Sequence, residues 1–409
     1  MTLRPLIIVG TRPEAIKLAP VIWACRELPD QIKPIVCFTG QHRELLDPIA
    51  EYFDIEPDIR LDVLRPGQSL AALSARCLEQ IDGVLADQRP DCVVVQGDTT
   101  SVLAAAMAAF YRKVPLVHVE AGLRTGNLEA PWPEELNRTI VGLTAAVHCC
   151  PTPLAAHHLS AAGVPPDRIH VTGNTVVDSL LWTLRREQPR EYAWRSRFAA
   201  LGARRMVLIT GHRRENIGPG LRRICRAIRM LADRFPEIEF VYPVHLNPGV
   251  YDTVHRLLSG AANIHLLPPA SYPEFVWLMK RSALILTDSG GVQEEAPTLH
   301  KPVLVMREST ERLEGVEAGT AQLVGTSIET IVRSVTRLLA DPAEYARRRP
   351  EANPYGDGWA ARRIVELMTS MSPNEDSGHR RQSIAISHAN GGNGGSVADG
   401  GERCYYRSE

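Results

Sequence analysis

No stretch of the 409-residue chain approaches the ~18 consecutive apolar residues of a membrane span. No CxxC pair and no zinc-ligand spacing occurs among the eight cysteines, whose closest pair is the adjacent Cys149-Cys150. A structural metal is therefore not indicated, and the thiols read as reduced core residues of a cytoplasmic protein. Net charge is −1, so there is no excess of one sign to draw nucleic acid or an acidic membrane surface. No G-x-G-x-x-G follows the first apolar run, so a dinucleotide cofactor is unsupported. That run, Leu6–Val9, is too short for the core of a signal peptide and reads as a first buried strand.

What is present is a rhythm. Short apolar runs (Leu6–Val9, Ile35–Phe38, Cys92–Val95, Leu116–Val119, Val147–Cys150) alternate with amphipathic stretches such as Ala15–Glu27 and Leu70–Gln88. The second half repeats the pattern with Met206–Ile209, Phe240–Val244, Ile264–Leu267, Leu284–Leu286 and Val303–Val305, and with helices at Leu221–Arg234 and Pro273–Lys280. Apolar runs separated by helices predict parallel strands buried on both faces, an α/β fold with two sheets. Length and composition predict two domains. Their division is expected where the helix Thr175–Leu184 gives way to the polar Arg185–Arg190, and Gly358–Met371 reads as a last amphipathic helix. From Ser372 the chain is polar, with six glycines between Gly391 and Gly401, a composition that predicts disorder.

In open parallel sheets, ligands bind beyond the carboxyl ends of the strands. The polar motifs fall there. Gly10-Thr11-Arg12-Pro13-Glu14, with Lys17 a turn later, suits an anion at a helix start, or an ordinary strand–helix turn. Thr39-Gly40-Gln41-His42-Arg43 is a polar cluster or loop packing. Asp98, in Gln96-Gly97-Asp98-Thr99-Thr100, is a cleft acid or an N-cap. Glu120 ends an apolar strand, and Glu134 and Glu135 open a helix whose dipole favours acids in any case. Asp98, Glu120 and Glu134 at one sheet edge would form a proton-transfer site, with at least one raised pKa. His212, between Gly211 and Arg213-Arg214, and His245 follow strands of the second half. Ser289-Gly290-Gly291 opens a helix with free N–H groups for a diphosphate, and Glu295 is placed to accept ribose hydroxyls. Arg307, Glu308 and Arg312 form a charged loop at the expected entrance.

Eight of these segments, GTRPEAIK, TGQHRELL, QGDTTS, VEAGLRT, PWPEELNR, TGHRREN, PVHLNP and DSGGVQEEAP, stand in the order found in the non-hydrolysing UDP-N-acetylglucosamine 2-epimerases. The sequence resembles that family from Leu6 to about Leu339. The resemblance implies a GT-B architecture, two Rossmann-like domains whose parallel sheets face a central cleft. Residues 1–175 and 176–355 would be the domains, 356–371 a helix returning to the first, and 372–409 a tail. It implies a cytoplasmic homodimer that interconverts UDP-N-acetylglucosamine (UDP-GlcNAc) and UDP-N-acetylmannosamine (UDP-ManNAc) without metal or cofactor, by elimination and re-addition of UDP, for surface polysaccharide synthesis. Catalytic positions would be Asp98, Glu120, Glu134 and His212. Arg12, Lys17, Arg138, His245, Ser289, Gly290, Gly291, Glu295 and Arg312 would bind substrate. Gln41, His42 and Gln68 match part of a region that binds activating UDP-GlcNAc, although Glu44 and Gly67 depart from the glutamine and arginine expected there. Readings that share the fold are a GT-B glycosyltransferase, a hydrolysing epimerase releasing N-acetylmannosamine and UDP, and a silent nucleotide-sugar sensor.

Overall fold

The computed structural model describes residues 2–371 apart from His42 and Pro350. The expected tail at 372–409 and the candidate His42 lie outside the described residues. The first half forms a seven-stranded sheet from β1 (Pro5–Val9), β2 (Ile35–Phe38), β3 (Ile59–Arg60), β4 (Cys92–Gln96), β5 (Leu116–Val119), β6 (Val147–Cys150) and β7 (Ile169–Val171). The second forms a six-stranded sheet from β8 (Met206–Thr210), β9 (Glu239–Pro243), β10 (Ile264–Leu267), β11 (Leu284–Thr287), β12 (Val303–Val305) and β13 (Ala321–Leu323). Strand orders are β3-β2-β1-β4-β5-β6-β7 and β10-β9-β8-β11-β12-β13. The pairings are parallel, with Ile7 opposite Val94 and Leu286 opposite Ile209 at the two central joins. Each sheet reverses its winding there, between β1 and β4 and between β8 and β11, the crevice where open α/β sheets take ligands. The fold is a GT-B-like pair of Rossmann-like sheets.

Alternate side chains of each strand feed different cores. Ile7 and Val9 join Met206, Leu208, Val303 and Val305 in an apolar cluster that runs between the two halves. Leu6 and Ile8 face a second cluster under the helices of the first sheet, while Val207 and Ile209 face a third under those of the second. This burial on both faces is why these strands read as continuous apolar runs. The strands that the apolar pattern misses, β3, β7 and β13, are short and partly exposed. The predicted strand over Phe240–Val244 forms one residue earlier, over Glu239–Pro243.

The helices Arg12–Arg26, Thr175–Glu187 and Ala360–Ser370 pack on one another against the shared core. Asp178 fixes the last of these by accepting from the backbone N–H groups of Ala360 and Ala361, the latter at 3.0 Å. Burial pushes the Asp178 carboxyl up to about 6, although both amides pull the other way. An aromatic group lies nearby. Phe53, fully buried, contacts Trp23 at 5.5 Å, Trp182 at 5.4 Å and Tyr272 at 5.6 Å between ring centroids. It thereby links both halves. The seven described cysteines are buried and unbridged. No helix of the described residues is long and apolar enough to cross a membrane.

Removing the Phe53 ring leaves Trp23, Trp182 and Tyr272 around a void. The F53A variant should lose about 3–5 kcal/mol of stability, read as a lowered urea midpoint; a loss under about 1 kcal/mol would show that the cluster collapses to refill the space.

Candidate active site

A cavity of about 630 Å³ opens at the two strand-order reversals. Arg12 and Lys17 enter it from the helix after β1, Asp98 from the loop after β4, and Glu120 from the end of β5. Glu134 and Arg138 enter from the helix Glu134–Thr144. The opposite wall carries His212 and Arg213 after β8, His245 after β9, and Ser289, Gly290, Gly291, Glu295, Glu311 and Arg312. The structure thus brings every candidate catalytic and substrate-binding residue to one cavity.

Local chain geometry explains several placements. Glu120 has φ of 61°, a left-handed backbone that a non-glycine residue adopts only under constraint, and Gly122 follows at 89°. A Cβ on Gly122 would stand 2.2 Å from the Ala155 carbonyl oxygen. This turn swings the Glu120 side chain out of the sheet and into the cavity. Thr99, not Asp98, caps the helix after β4, accepting from the Val102 N–H. That leaves Asp98 for Arg138, whose Nε donates to it at 2.8 Å. Glu135 is spent on structure, accepting from the Thr125 and Gly126 amides and from Arg138. The Glu134 side chain makes no hydrogen bond or ion pair within the described residues.

Buried cations stand between several carboxylates in and beside the cavity. Lys17 Nζ lies 2.5 Å from Glu120 and 3.0 Å from Glu294. Arg312 lies 3.0 Å from both Glu294 and Glu311, and Arg138 lies 3.9 Å from Glu311. Gln96 and Asn174 also donate to Glu120. Burial alone would lower the Lys17 pKa, but Glu120 and Glu294 outweigh it and hold the value above the usual lysine range. Within the cavity region, burial pushes Glu14 and Glu295 each up to about 7. Glu295 takes a 2.7 Å hydrogen bond from the Tyr272 hydroxyl.

The cavity is also equipped for an anion, chiefly on its far wall. Arg12 and Arg213 face the cavity without an ion-pair partner among the described residues. Burial lowers the Arg12 pKa while Glu295 and Tyr272 pull it up. His212 stacks on His245, with centroids 5.2 Å apart and planes at 9°. Burial and the neighbouring His245 and Arg213 depress its pKa against the pull of Asp288. Asp288, fully buried, accepts from the His212 and Arg213 amides and so ties their loop to the Ser289–Gly291 turn. Ser289 starts the helix Gly290–Glu295 with its hydroxyl uncommitted to a cap. Gly290 leaves room for the Arg312 guanidinium, whose carbon would lie 2.8 Å from a Cβ there. Arg312 is therefore buried beneath the turn rather than at the entrance, and Arg307 pairs with Glu215 and Glu311.

The model of the family described as UDP-N-acetylglucosamine 2-epimerase matches residues 24–369. The chain belongs to that family. It is 50% identical over 370 residues to the UDP-N-acetylglucosamine 2-epimerase of Yersinia pestis, covering 90% of this chain and 98% of that one. It is 49% identical over 371 residues to the enzyme of Escherichia coli K12, covering 90% and 98%. The UDP-GlcNAc 2-epimerase of Neisseria meningitidis, solved bound to UDP-GlcNAc, superimposes with a TM-score of 0.86 at 44% identity, covering 90% of this chain and 99% of that one.

Gln41 and Gln68 stand apart from the epimerase-family cavity. Gln41 is buried and accepts from Ser101 at 2.7 Å; Gln68 accepts from Arg76 and leaves its amide nitrogen buried and unpaired. Glu14, Gln96, Tyr272, Glu294 and Glu311 escaped the sequence reading. Glu14 and Glu294 sit inside quoted motifs, but an acid beside a helix start or beside another glutamate carries no sign of which cation it meets.

Glu14 gives a test of the site's electrostatics. Its folded value, about 7, exceeds its ordinary 4.5, so the protonated form favours folding. That contribution is full below the unfolded value and is lost as pH rises through the folded one. The stability difference between wild type and E14Q should therefore move against wild type from about pH 5 to pH 8, measured by urea unfolding at each pH. A difference that moves toward wild type over this interval would contradict the assignment.

Proposed function

We propose that the chain interconverts UDP-GlcNAc and UDP-ManNAc by eliminating UDP and adding it back. The observation that carries this reading is a single cavity with two differently equipped walls. Asp98, Glu120 and Glu134 project from the first sheet; Arg213, His212 and the free N–H groups after Ser289 project from the second. Epimerisation at C2 of such a sugar needs both. The C2 proton has no adjacent carbonyl, so its removal gives no stabilised carbanion. Loss of the diphosphate supplies the alternative. A carboxylate takes the C2 proton, the C–H electron pair becomes the C1–C2 double bond, and the C1–O pair leaves with UDP. In return, a carboxylic acid protonates C2 from the other face and the UDP oxygen rebonds to C1. C2 is inverted and nothing is oxidised or reduced.

Asp98 and Glu120 are held by Arg138 and by Lys17, Gln96 and Asn174, which fixes their direction. Glu134, without a partner among the described residues, is free to turn toward either face of the ring. Arg12, Arg213 and His212 offset the charge that grows on departing UDP, a stabilisation largest where water is excluded. Ser289, Gly290 and Gly291 hold the phosphates, and Glu295, oriented by Tyr272, takes the ribose hydroxyls. Arg12, Lys17, Arg138, His245 and Arg312 complete the substrate contacts. The family resemblance extends the reading to a cytoplasmic homodimer with domains at 1–175 and 176–355, the helix 356–371 returning to the first, and to activation through the Gln41 and Gln68 region. A glycosyltransferase on this fold would not need three acids without an acceptor.

The protein incubated with UDP-GlcNAc in D2O should yield UDP-ManNAc with deuterium at C2, followed by NMR. Free N-acetylmannosamine in the same spectrum would instead assign a hydrolysing enzyme, and UDP binding without exchange would assign a sensor. D98N, E120Q and E134Q should each lower turnover by about 100-fold or more while UDP binding persists in calorimetry. Near-normal rates in all three would remove the acids from the mechanism.

A further inference from the structure

Glu294 lies outside the cavity lining, yet it connects the two walls. Its side chain is 2% exposed and accepts from two cations, Lys17 Nζ through Oε2 and Arg312 Nε through Oε1, both at 3.0 Å. Lys17 belongs to the helix after β1 and Glu120 to the end of β5, so both are parts of the first half. Glu294 belongs to the second. It lies on the helix Gly290–Glu295, whose first residues face the cavity. The Asn353 amide holds the Glu294 carbonyl at 2.8 Å and so fixes that helix from behind.

The two cations depend on Glu294 unequally. Without its charge, Arg312 still has Glu311 at 3.0 Å. Lys17 would be left with Glu120 as its one carboxylate among the described ion pairs. Its ammonium now sits between an acid from each half, and loss of one pulls it onto the other. Any displacement of the second half from the first must likewise break the Lys17–Glu294 pair or carry Lys17 with it.

We infer that Glu294 is a positioning residue that makes Glu120 competent only when the second half is seated, by drawing the Lys17 ammonium to its working place between them. The helix that starts at the phosphate-holding turn thus also reports its position to the acid at C2. This inference rests on the epimerase reading above.

A double-mutant cycle tests it, with C2 exchange from UDP-GlcNAc in D2O as the assay on the full chain. Wild type must exchange; absence of exchange there would sink the epimerase reading and leave nothing for Glu294 to serve. Given exchange, E294Q should lower kcat by about 10-fold or more and leave KM within about 3-fold. In a K17M background the same substitution should change kcat by no more than about 2-fold, because its effect passes through Lys17. Losses that multiply independently, or a raised KM with kcat intact, would overturn the proposal. If E294Q does not fold, E294D carries the same expectations, since it keeps the charge beside Arg312 but shortens the reach to Lys17.

Discussion

A buried ammonium between two carboxylates is the constraint on which the site depends. Burial of Lys17 is unfavourable by itself, and Glu120 and Glu294 together reverse the balance. Because the acids come from different halves, the cation is satisfied in this arrangement of the two sheets. Arg312 and Arg138 extend the same pattern, each placed between acids. The alternation sets a cation beside each of several buried carboxylates. It also leaves the anion-facing groups Arg12 and Arg213 outside the network, available to a charged ligand.

The scaffold beneath this network is simple. Each sheet reverses its strand order once, and each reversal lies beside the cavity. Side chains at the ends of β4, β8 and β11 are delivered there by chain direction. What the strands cannot deliver, tight turns do. The left-handed backbone at Glu120 re-aims one side chain, and the absence of a side chain at Gly290 lets Arg312 pass beneath the phosphate turn.

Much of this was legible before any coordinates. Strands buried on both faces leave uninterrupted apolar runs, so ten of the thirteen strands were evident from the runs that began at Leu6 and ended at Val305. The remaining three are edge strands of two or three residues with partly exposed positions. The cavity-lining candidates were legible because they follow strand ends in motifs of specific order. Glu294 and Glu311 were not, since their importance comes from cations distant in sequence: Lys17 is 277 residues from Glu294. Asp98 shows the same limit from the other side. Local sequence allowed it to be an N-cap, and only the position of Arg138 and the capping role of Thr99 decide otherwise.

The return of the helix Ala360–Ser370 to the helices Arg12–Arg26 and Thr175–Glu187 has a consequence for synthesis. The first sheet emerges from the ribosome early, with an apolar flank that the helix Ala360–Ser370 will cover. Asp178 meanwhile waits for the amides of Ala360 and Ala361. The first half is thus begun first and completed last, and a nascent chain interrupted anywhere before that helix exposes a sticky surface to chaperones and proteases.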